Sequence, residues 1–285
     1  ANFGLEIKLS LIIFPVIFSF MSFSRIELKW IFLSFIFGLL CAIPVDFFRA
    51  YQLYQESGSM NVFFYDSLST PVHPGYLSMY LNLGAILLIN DFFKKEFGFF
   101  NKNWKYFLVY GILFVFNLLV FSKIGLFISF VILIIFLWLY VKRSKNYTLP
   151  IIAVVAGMGV FAAVYSSSEY ARNTVQEMFE NTSYSSENAE VKAQGSTSLR
   201  RVVWSASFEL IKEKPLLGYG LGDTQEALTG VYELMDEPFA LAKKLNSHNQ
   251  YLETALSIGL LGLSLLFGCL VFALKYAWKL KHWVL

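Results

Sequence analysis

A histidine and a small group of cations are the residues of this sequence whose types could carry chemistry. His248 stands just before a long apolar run, and Arg200 and Arg201 open a segment with helical spacing of apolar residues. Lys123 occupies a very short connection between two other apolar runs. Cations beside a neutral imidazole suit transfer from a diphosphate donor to a hydroxyl group. The cations stabilise the leaving pyrophosphate, and the imidazole deprotonates the attacking oxygen.

Each of these residues also has a purely structural interpretation. Arginines in the first turn of a helix favour a bound anion, but they can also meet lipid headgroups or water. A lysine at the mouth of an apolar helix often extends its charge to the membrane surface. "SHNQ" predicts a capping box between Ser247 and Gln250, which puts His248 in the first helical turn, where the helix dipole lowers its pKa. An interfacial histidine without a chemical role is the alternative.

The remaining polar motifs give little reason to expect a metal or another cofactor. His73, in "TPVHPGY", is a possible site residue, although the neighbouring prolines also suit a turn. The two cysteines, Cys41 and Cys269, lie inside apolar runs, and no acidic pair or His/Cys set has metal-site spacing. Asp223 and Glu253 are the acidic residues nearest to the candidate motifs, and neither is assigned a catalytic role.

The composition is typical of a membrane protein. Of 285 residues, 56% are hydrophobic and 15% are charged, and the mean hydropathy is +0.56. The net charge of +3, without a basic patch interleaved with aromatics, argues against a nucleic-acid partner. We therefore predict an all-α, polytopic helical membrane protein whose partners include membrane lipids. Seven apolar runs approach bilayer length: 6–23, 30–48, 75–93, 105–121, 124–141, 148–165 and 250–274.

The distribution of basic residues predicts which connections face the cytoplasm. Four short segments hold 12 of the 23 Lys and Arg residues: 24–29, 94–105, 142–145 and 275–281. All four fall on one side of seven alternating spans, which the positive-inside rule assigns to the cytoplasm. The opposite side receives three connections: 49–74, 122–123 and 166–249. Lys123, Arg200, Arg201 and His248 are thereby predicted to meet at the outer face, and His73 falls on the same side.

The chain is predicted to comprise three regions. A transmembrane bundle of about six spans covers 1–165, a periplasmic loop covers 166–249, and a last span with a cytoplasmic end covers 250–285. Because the chain opens with Ala1 rather than Met, we expect it to be an excerpt of a longer protein.

The long loop divides further. Segment 166–198 is polar with a short helix near 169–180, and 199–214 is a helix with Ser198 as its N-cap. Segment 222–244 predicts one or two amphipathic helices lying against the membrane. "GYGLG", at 218–222, lacks the strand and Lys-Ser/Thr of a nucleotide-binding loop, so we interpret it as a tight turn.

Three motifs in this order resemble the signature region of the O-antigen ligase/polymerase superfamily of bacterial envelope proteins. They are Arg-x3-Trp at 200–204, Pro-Leu-x-Gly-x-Gly within "KPLLGYGLG" (214–222), and His-x10-Gly from His248 to Gly259. "HPGYLSMYLNL" (73–83) and "FSKIGLFIS" (121–129) resemble earlier membrane segments of that family. The resemblance covers most of the chain from about residue 73. Members of the family usually have more spans, so we expect N-terminal spans to be missing here.

The resemblance implies a metal-independent glycosyltransferase of the bacterial inner membrane, in lipopolysaccharide or cell-surface polysaccharide biosynthesis. It would move a glycan from undecaprenyl diphosphate to a lipid A-core sugar at the periplasmic face. Arg200 would bind the diphosphate and His248 would activate the acceptor. Lys123 stands where the family has arginine. Lysine keeps the charge but loses the bidentate fork, so either the diphosphate is held differently or Arg201 compensates.

Other functions stay open at this point. An O-antigen polymerase or a protein O-oligosaccharyltransferase of the same superfamily would use a similar lipid-linked donor. A membrane transporter would belong to a different class and would carry ionisable residues inside its spans. The apolar runs carry mostly neutral polar residues, such as Asn82 and Asn117, which favours the enzyme.

Overall fold

The computed structural model describes residues 13–14, 16–18, 20–70, 72–179 and 197–280. Within these ranges the regular elements are helices, and no β-strand is present. The helices longer than one turn are α1 (Arg25–Ser57), α3 (Pro74–Lys94), α4 (Asn103–Val120), α5 (Lys123–Ser144), α6 (Thr148–Ser167), α7 (Glu169–Phe179), α8 (Thr197–Glu213), α9 (Thr224–Leu234) and α11 (Gln250–Leu280). The short helices are α2 (Tyr65–Leu68), after a 3-10 turn at Met60–Phe63, and α10 (Pro238–Ala242).

The predicted polytopic membrane architecture is confirmed. Five helices in the described part of the chain are long and apolar enough to cross a membrane: Arg25–Ser57, Pro74–Lys94, Asn103–Val120, Lys123–Ser144 and Gln250–Tyr276. Each coincides with an apolar run of the sequence. The run at 148–165 corresponds to α6, where Ile151–Ser167 forms a shorter apolar helix. Because half of run 6–23 lies outside the described residues, the total of seven spans stays a prediction.

The chain forms two compact units. One comprises Phe23–Glu180, and the other comprises Asn181–Trp283 together with Ala1–Ser22. The predicted short helix near 169–180 is present as α7, in the first unit. The rest of the predicted polar segment, residues 180–196, lies outside the described residues. The second unit contains the remaining helices of the long loop, α8, α9 and α10, and also α11, the last apolar span.

A buried polar cluster fixes the packing of α3, α4 and α5 in the first unit. The Asn82 amide donates to the Gly125 carbonyl at 3.0 Å, and its side-chain oxygen accepts from Ser129 at 2.6 Å. The Asn117 amide donates to both Asn82 and Ser129, and Ser78 donates to Asn117. Buried polar groups in a membrane bundle need partners of this kind. Asn82 and Asn117, the two asparagines of the apolar runs, therefore join α3, α4 and α5 at one level of the bundle.

A second polar contact organises the basic end of the same unit. The Asp91 carboxylate accepts the backbone N–H groups of Phe97, Gly98 and Phe99 at 2.7, 2.9 and 2.7 Å. It also accepts the Tyr106 hydroxyl at 2.6 Å. These four donors hold the connection between α3 and α4 in one conformation.

The basic connections of the first unit meet at this end. Lys29 of α1 donates to the Gly98 carbonyl at 3.1 Å, and Arg143 of α5 donates to the Phe93 carbonyl. The segments 24–29, 94–105 and 142–145 thus share one end of the bundle, as alternating spans require. Their assignment to the cytoplasm stays a prediction.

Candidate functional site

Helix α8 carries the first candidate residues of the second unit. Val203, Ala206 and Leu210 follow helical spacing and are buried, at 0%, 0% and 3% exposure. They pack against Leu228 and other apolar residues of α9, α10 and α11 in one core. Arg200 and Arg201 remain exposed.

The start of α8 differs from the expectation in one respect. The predicted N-cap, Ser198, lies inside the helix, because Thr197 already belongs to it. Arg200 is the fourth described residue of the helix and lies in its first turn, as predicted, whereas Arg201 is the fifth and begins the second turn. Ser198 does not cap the helix. The helix ends at Glu213, just before the predicted stop at Pro215.

The segment before α11 shows that the predicted capping box is wrong. Asn249, rather than Ser247, caps the helix, because its side-chain oxygen accepts the backbone N–H groups of Tyr251 and Leu252 at 2.9 and 3.4 Å. Asparagine caps helices at least as well as serine does. The Ser247 hydroxyl is used elsewhere, since it donates to the Glu253 carboxylate at 2.8 Å and lies 3.1 Å from the Asn249 carbonyl oxygen.

His248 consequently lies outside the helix rather than in its first turn. Its backbone is in the left-handed region, with φ of 44°, which few non-glycine residues adopt. Its backbone N–H donates to the Asn246 side chain at 3.0 Å. The turn formed by 246–249 therefore fixes the backbone of His248.

Trp204 connects helix α8 to this turn. Its indole Nε1 donates to the Ser247 carbonyl at 3.1 Å, directly before His248. Arg200 lies one helical turn before Trp204, so the two side chains share a face of α8. The Arg-x3-Trp motif thereby supplies both a cation and a hydrogen bond to the turn that contains His248 (residues 246–249, the histidine turn). Sequence reasoning assigned no role to Trp204, although its spacing from Arg200 was visible.

The electrostatics of the site favour a neutral imidazole. Partial burial lowers the pKa of His248, and the positive charge of Arg200 lowers it further. The Glu253 carboxylate acts in the opposite direction and raises that pKa. The net direction is the one predicted, but its cause is different. Desolvation and Arg200 account for the shift, whereas the sequence attributed it to the dipole of a helix that His248 does not enter.

The glycine motifs meet where α11 is broken. Ile258 and Gly259 have non-helical backbones, and Gly259 has φ of 69°. The N–H groups of Tyr219 and Gly220 donate to the carbonyls of Leu256 and Ser257 at 2.7 and 2.9 Å. On the other side of the break, the N–H of Leu260 donates to the carbonyl of Pro215 at 2.8 Å. The segment 215–220 therefore binds the backbone groups that the break releases.

This approach of two backbones requires glycine on both sides. A Cβ atom on Gly218 would lie 2.4 Å from the Leu256 carbonyl oxygen. One on Gly259 would lie 2.0 Å from the Leu216 carbonyl oxygen. Gly218 and Gly220 also have positive φ, at 67° and 95°, so the interpretation of "GYGLG" as a tight turn is confirmed.

The other predicted site residues belong to the unit formed by Phe23–Glu180. Lys123 is the first residue of α5 and is half-buried, after a turn in which Phe121 has φ of 47°. His73 caps α3, since its Nδ1 accepts the Gly75 N–H at 3.1 Å, and this fits the turn-shaping interpretation. The meeting of Lys123 with Arg200 and His248 stays a prediction.

No cluster of three or more His, Cys, Asp or Glu side chains is found among the residues that the structure describes. A function without metal stays a prediction.

Substitution Gly259→Ala should destabilise the second unit. Its φ of 69° and ψ of −174° suit glycine almost alone, and the added methyl group would strike the Leu216 carbonyl. We expect a loss of about 3 kcal/mol, measured as thermal unfolding of the purified protein in detergent. Gly268→Ala is the matched control in the same helix, because nothing lies within 4 Å of its Cβ position. Equal unfolding temperatures for the two variants would contradict the packing described.

Substitution Trp204→Phe should loosen the histidine turn without disturbing the core. The indole hydrogen bond to Ser247 is lost, at a cost of about 1 kcal/mol. We expect amide hydrogen exchange in 246–250 to become roughly fivefold faster. Trp104→Phe, an exposed tryptophan of the other unit, is the control. Unchanged exchange in Trp204→Phe would mean that the indole does not hold the turn.

Comparison with known protein families gave a match. The O-antigen ligase family model matches residues 107–267, which is more than half of the chain and includes Lys123, Arg200, His248 and Gly259. No curated protein matched the chain, and neither did any solved structure. The match agrees with the motifs of the sequence and with the apolar helices that the structure contains. The chain belongs to the O-antigen ligase family.

Proposed function

We propose that this member of the O-antigen ligase family is a metal-independent membrane glycosyltransferase. Its donor is a glycan on undecaprenyl diphosphate, and its acceptor is a hydroxyl of lipid A-core or a similar glycan. The reaction takes place at the periplasmic face of the bacterial inner membrane. The observation that carries the proposal is the pairing of Arg200 with His248, since a cation and a neutral base are the two groups that the transfer needs.

Each residue has a defined part in the proposed transfer. The acceptor hydroxyl attacks the anomeric carbon of the donor while the bond from that carbon to the diphosphate oxygen breaks. His248 takes the proton of the hydroxyl as general base. Arg200 binds the departing diphosphate and stabilises the charge that develops on it.

The remaining cations are proposed to assist Arg200. Lys123 contributes a charge from the start of α5, and Arg201 contributes a second guanidinium beside Arg200. A lysine cannot grip two phosphate oxygens as arginine does, which gives Arg201 a reason to take part. His73 is proposed only as a possible site residue, since its Nδ1 already caps α3.

Transfer by the purified protein from a synthetic lipid diphosphate donor tests the proposal. We expect activity to persist with chelator. His248→Gln should lower kcat by about 100-fold or more, because it removes the general base. Arg200→Gln should also lower activity strongly, and Arg200→Lys less so. Full activity of both His248→Gln and Arg200→Gln, or an absolute need for added divalent metal, would overturn the mechanism.

The pH profile of activity gives a second test. Replacing Glu253 and replacing Arg200 should shift its acidic limb in opposite directions. A general base must be neutral, so activity falls as pH drops through the pKa of His248, which lies below its ordinary value of 6.5. Glu253 raises that pKa, so Glu253→Gln should move the acidic limb to lower pH. Arg200 lowers it, so Arg200→Gln should move the limb to higher pH, while Arg200→Lys leaves it in place. A limb that no variant moves would exclude His248 as the titrating base.

Lipid analysis of a deletion strain separates the ligase from the polymerase. Loss of a ligase should leave long lipid-linked glycan together with bare core. Loss of a polymerase should instead leave single repeats on the core. Complementation with His248→Gln at normal protein level should reproduce the deletion pattern. If that variant restored normal glycan at that level, His248 would have no catalytic role.

A further inference from the structure

A cavity lies between α3 and α5 at the basic end of the first unit. Its volume is about 330 Å³, large enough for the headgroup of a small amphiphile. Ile89, Phe93 and Leu139 give it an apolar lining. None of the residues in the proposed transfer lines this cavity, so an occupant would serve a separate purpose.

Three cations line the same cavity. They are Lys94 at the end of α3, and Lys142 and Arg143 in the last turn of α5. Arg143 is held in place by its hydrogen bond to the Phe93 carbonyl, which uses one of the five N–H donors of its guanidinium. Lys142 lies 5.2 Å from the centre of the Trp138 ring. Apolar walls below a cluster of positive charges match an anion that carries a hydrocarbon chain.

Asn90 supplies an independent indication of a polar ligand in this cavity. It lines the cavity and is 7% exposed. Its side-chain oxygen is buried and accepts no hydrogen bond from any described residue. Buried polar atoms in proteins almost always have a partner. A ligand with a hydroxyl group could supply the missing donor.

We propose that this cavity binds an anionic glycerophospholipid with a hydroxyl-bearing headgroup. The phosphate lies among Lys142, Arg143 and Lys94, and the acyl chain follows the apolar wall formed by Ile89 and Leu139. When the Asn90 amide turns toward the cavity, a headgroup hydroxyl donates to its oxygen. Such a lipid would add a second link between the ends of α3 and α5, which the hydrogen bond from Arg143 to the Phe93 carbonyl already joins. Phosphatidylglycerol has the required charge and donors.

Native mass spectrometry of the full chain in detergent, with defined lipid mixtures, tests this site. We expect phosphatidylglycerol to be retained in preference to phosphatidylcholine. The double variant Lys142→Gln/Arg143→Gln should bind it about tenfold to a hundredfold more weakly, because two charge-assisted contacts are lost. Lys102→Gln/Lys145→Gln is the matched control, since it removes two charges from the same end without touching the cavity. If both double variants bound phosphatidylglycerol equally weakly, the loss would come from overall charge rather than from the cavity, and the proposal would be overturned.

Two further measurements keep the proposal testable if a double variant fails to fold. Wild-type protein should prefer phosphatidylglycerol to phosphatidylmethanol, which has the same charge but no headgroup hydroxyl, and Asn90→Leu should lose that preference. Leu139→Trp, which fills the cavity from a half-buried position, should lower retention of phosphatidylglycerol. Displacement of the lipid by millimolar inorganic phosphate would assign the site to a free anion and overturn the lipid proposal. So would equal retention of phosphatidylglycerol and phosphatidylcholine by the wild type.

Discussion

The break in α11 is the constraint on which the second unit depends. A helix interrupted within an apolar span releases backbone N–H and C=O groups that lipid cannot satisfy. In this chain the segment after α8 satisfies them, with three hydrogen bonds across the break. The two backbones can meet only because Gly218 and Gly259 have no side chains. The glycines of two separate motifs therefore form one packing contact. This contact fixes the position of α8 relative to the start of α11.

The position of the histidine turn depends on this contact between the Gly218 segment and α11. With α8 held against α11, Trp204 reaches the Ser247 carbonyl and Arg200 comes near enough to affect His248. The turn itself is held by short contacts of Asn246, Ser247 and Asn249. The backbone of His248 is thus held by neighbours on both sides, while the residue remains exposed to solvent. The Arg-x3-Trp, glycine and histidine motifs are far apart in sequence but act on a single turn.

Much of this architecture could be predicted from the sequence, because bilayer-length apolar runs and helical spacing are strong signals. Five spans and the loop helices α7, α8 and α9 occur where they were expected. The start of α11 was misjudged because Ser247 and Asn249 are both good caps, and only the tertiary contact with Glu253 decides between them. The partner of the Gly218 segment could not be predicted, since nothing local marks where two distant backbones will touch. The direction of the His248 pKa was predictable, but the role of Arg200 in it depends on tertiary packing.

The opposed influence of Arg200 and Glu253 on His248 makes the strength of the base depend on what is bound beside it. A diphosphate at Arg200 would offset the positive charge that weakens the imidazole, leaving Glu253 to act with less opposition. The proton affinity of His248 would then rise when the donor arrives. An acceptor hydroxyl, or a stray water molecule, would meet a weaker base in the empty protein than in the loaded one. In the proposed reaction, donor binding would thereby raise the proton affinity of His248 without any movement of the backbone.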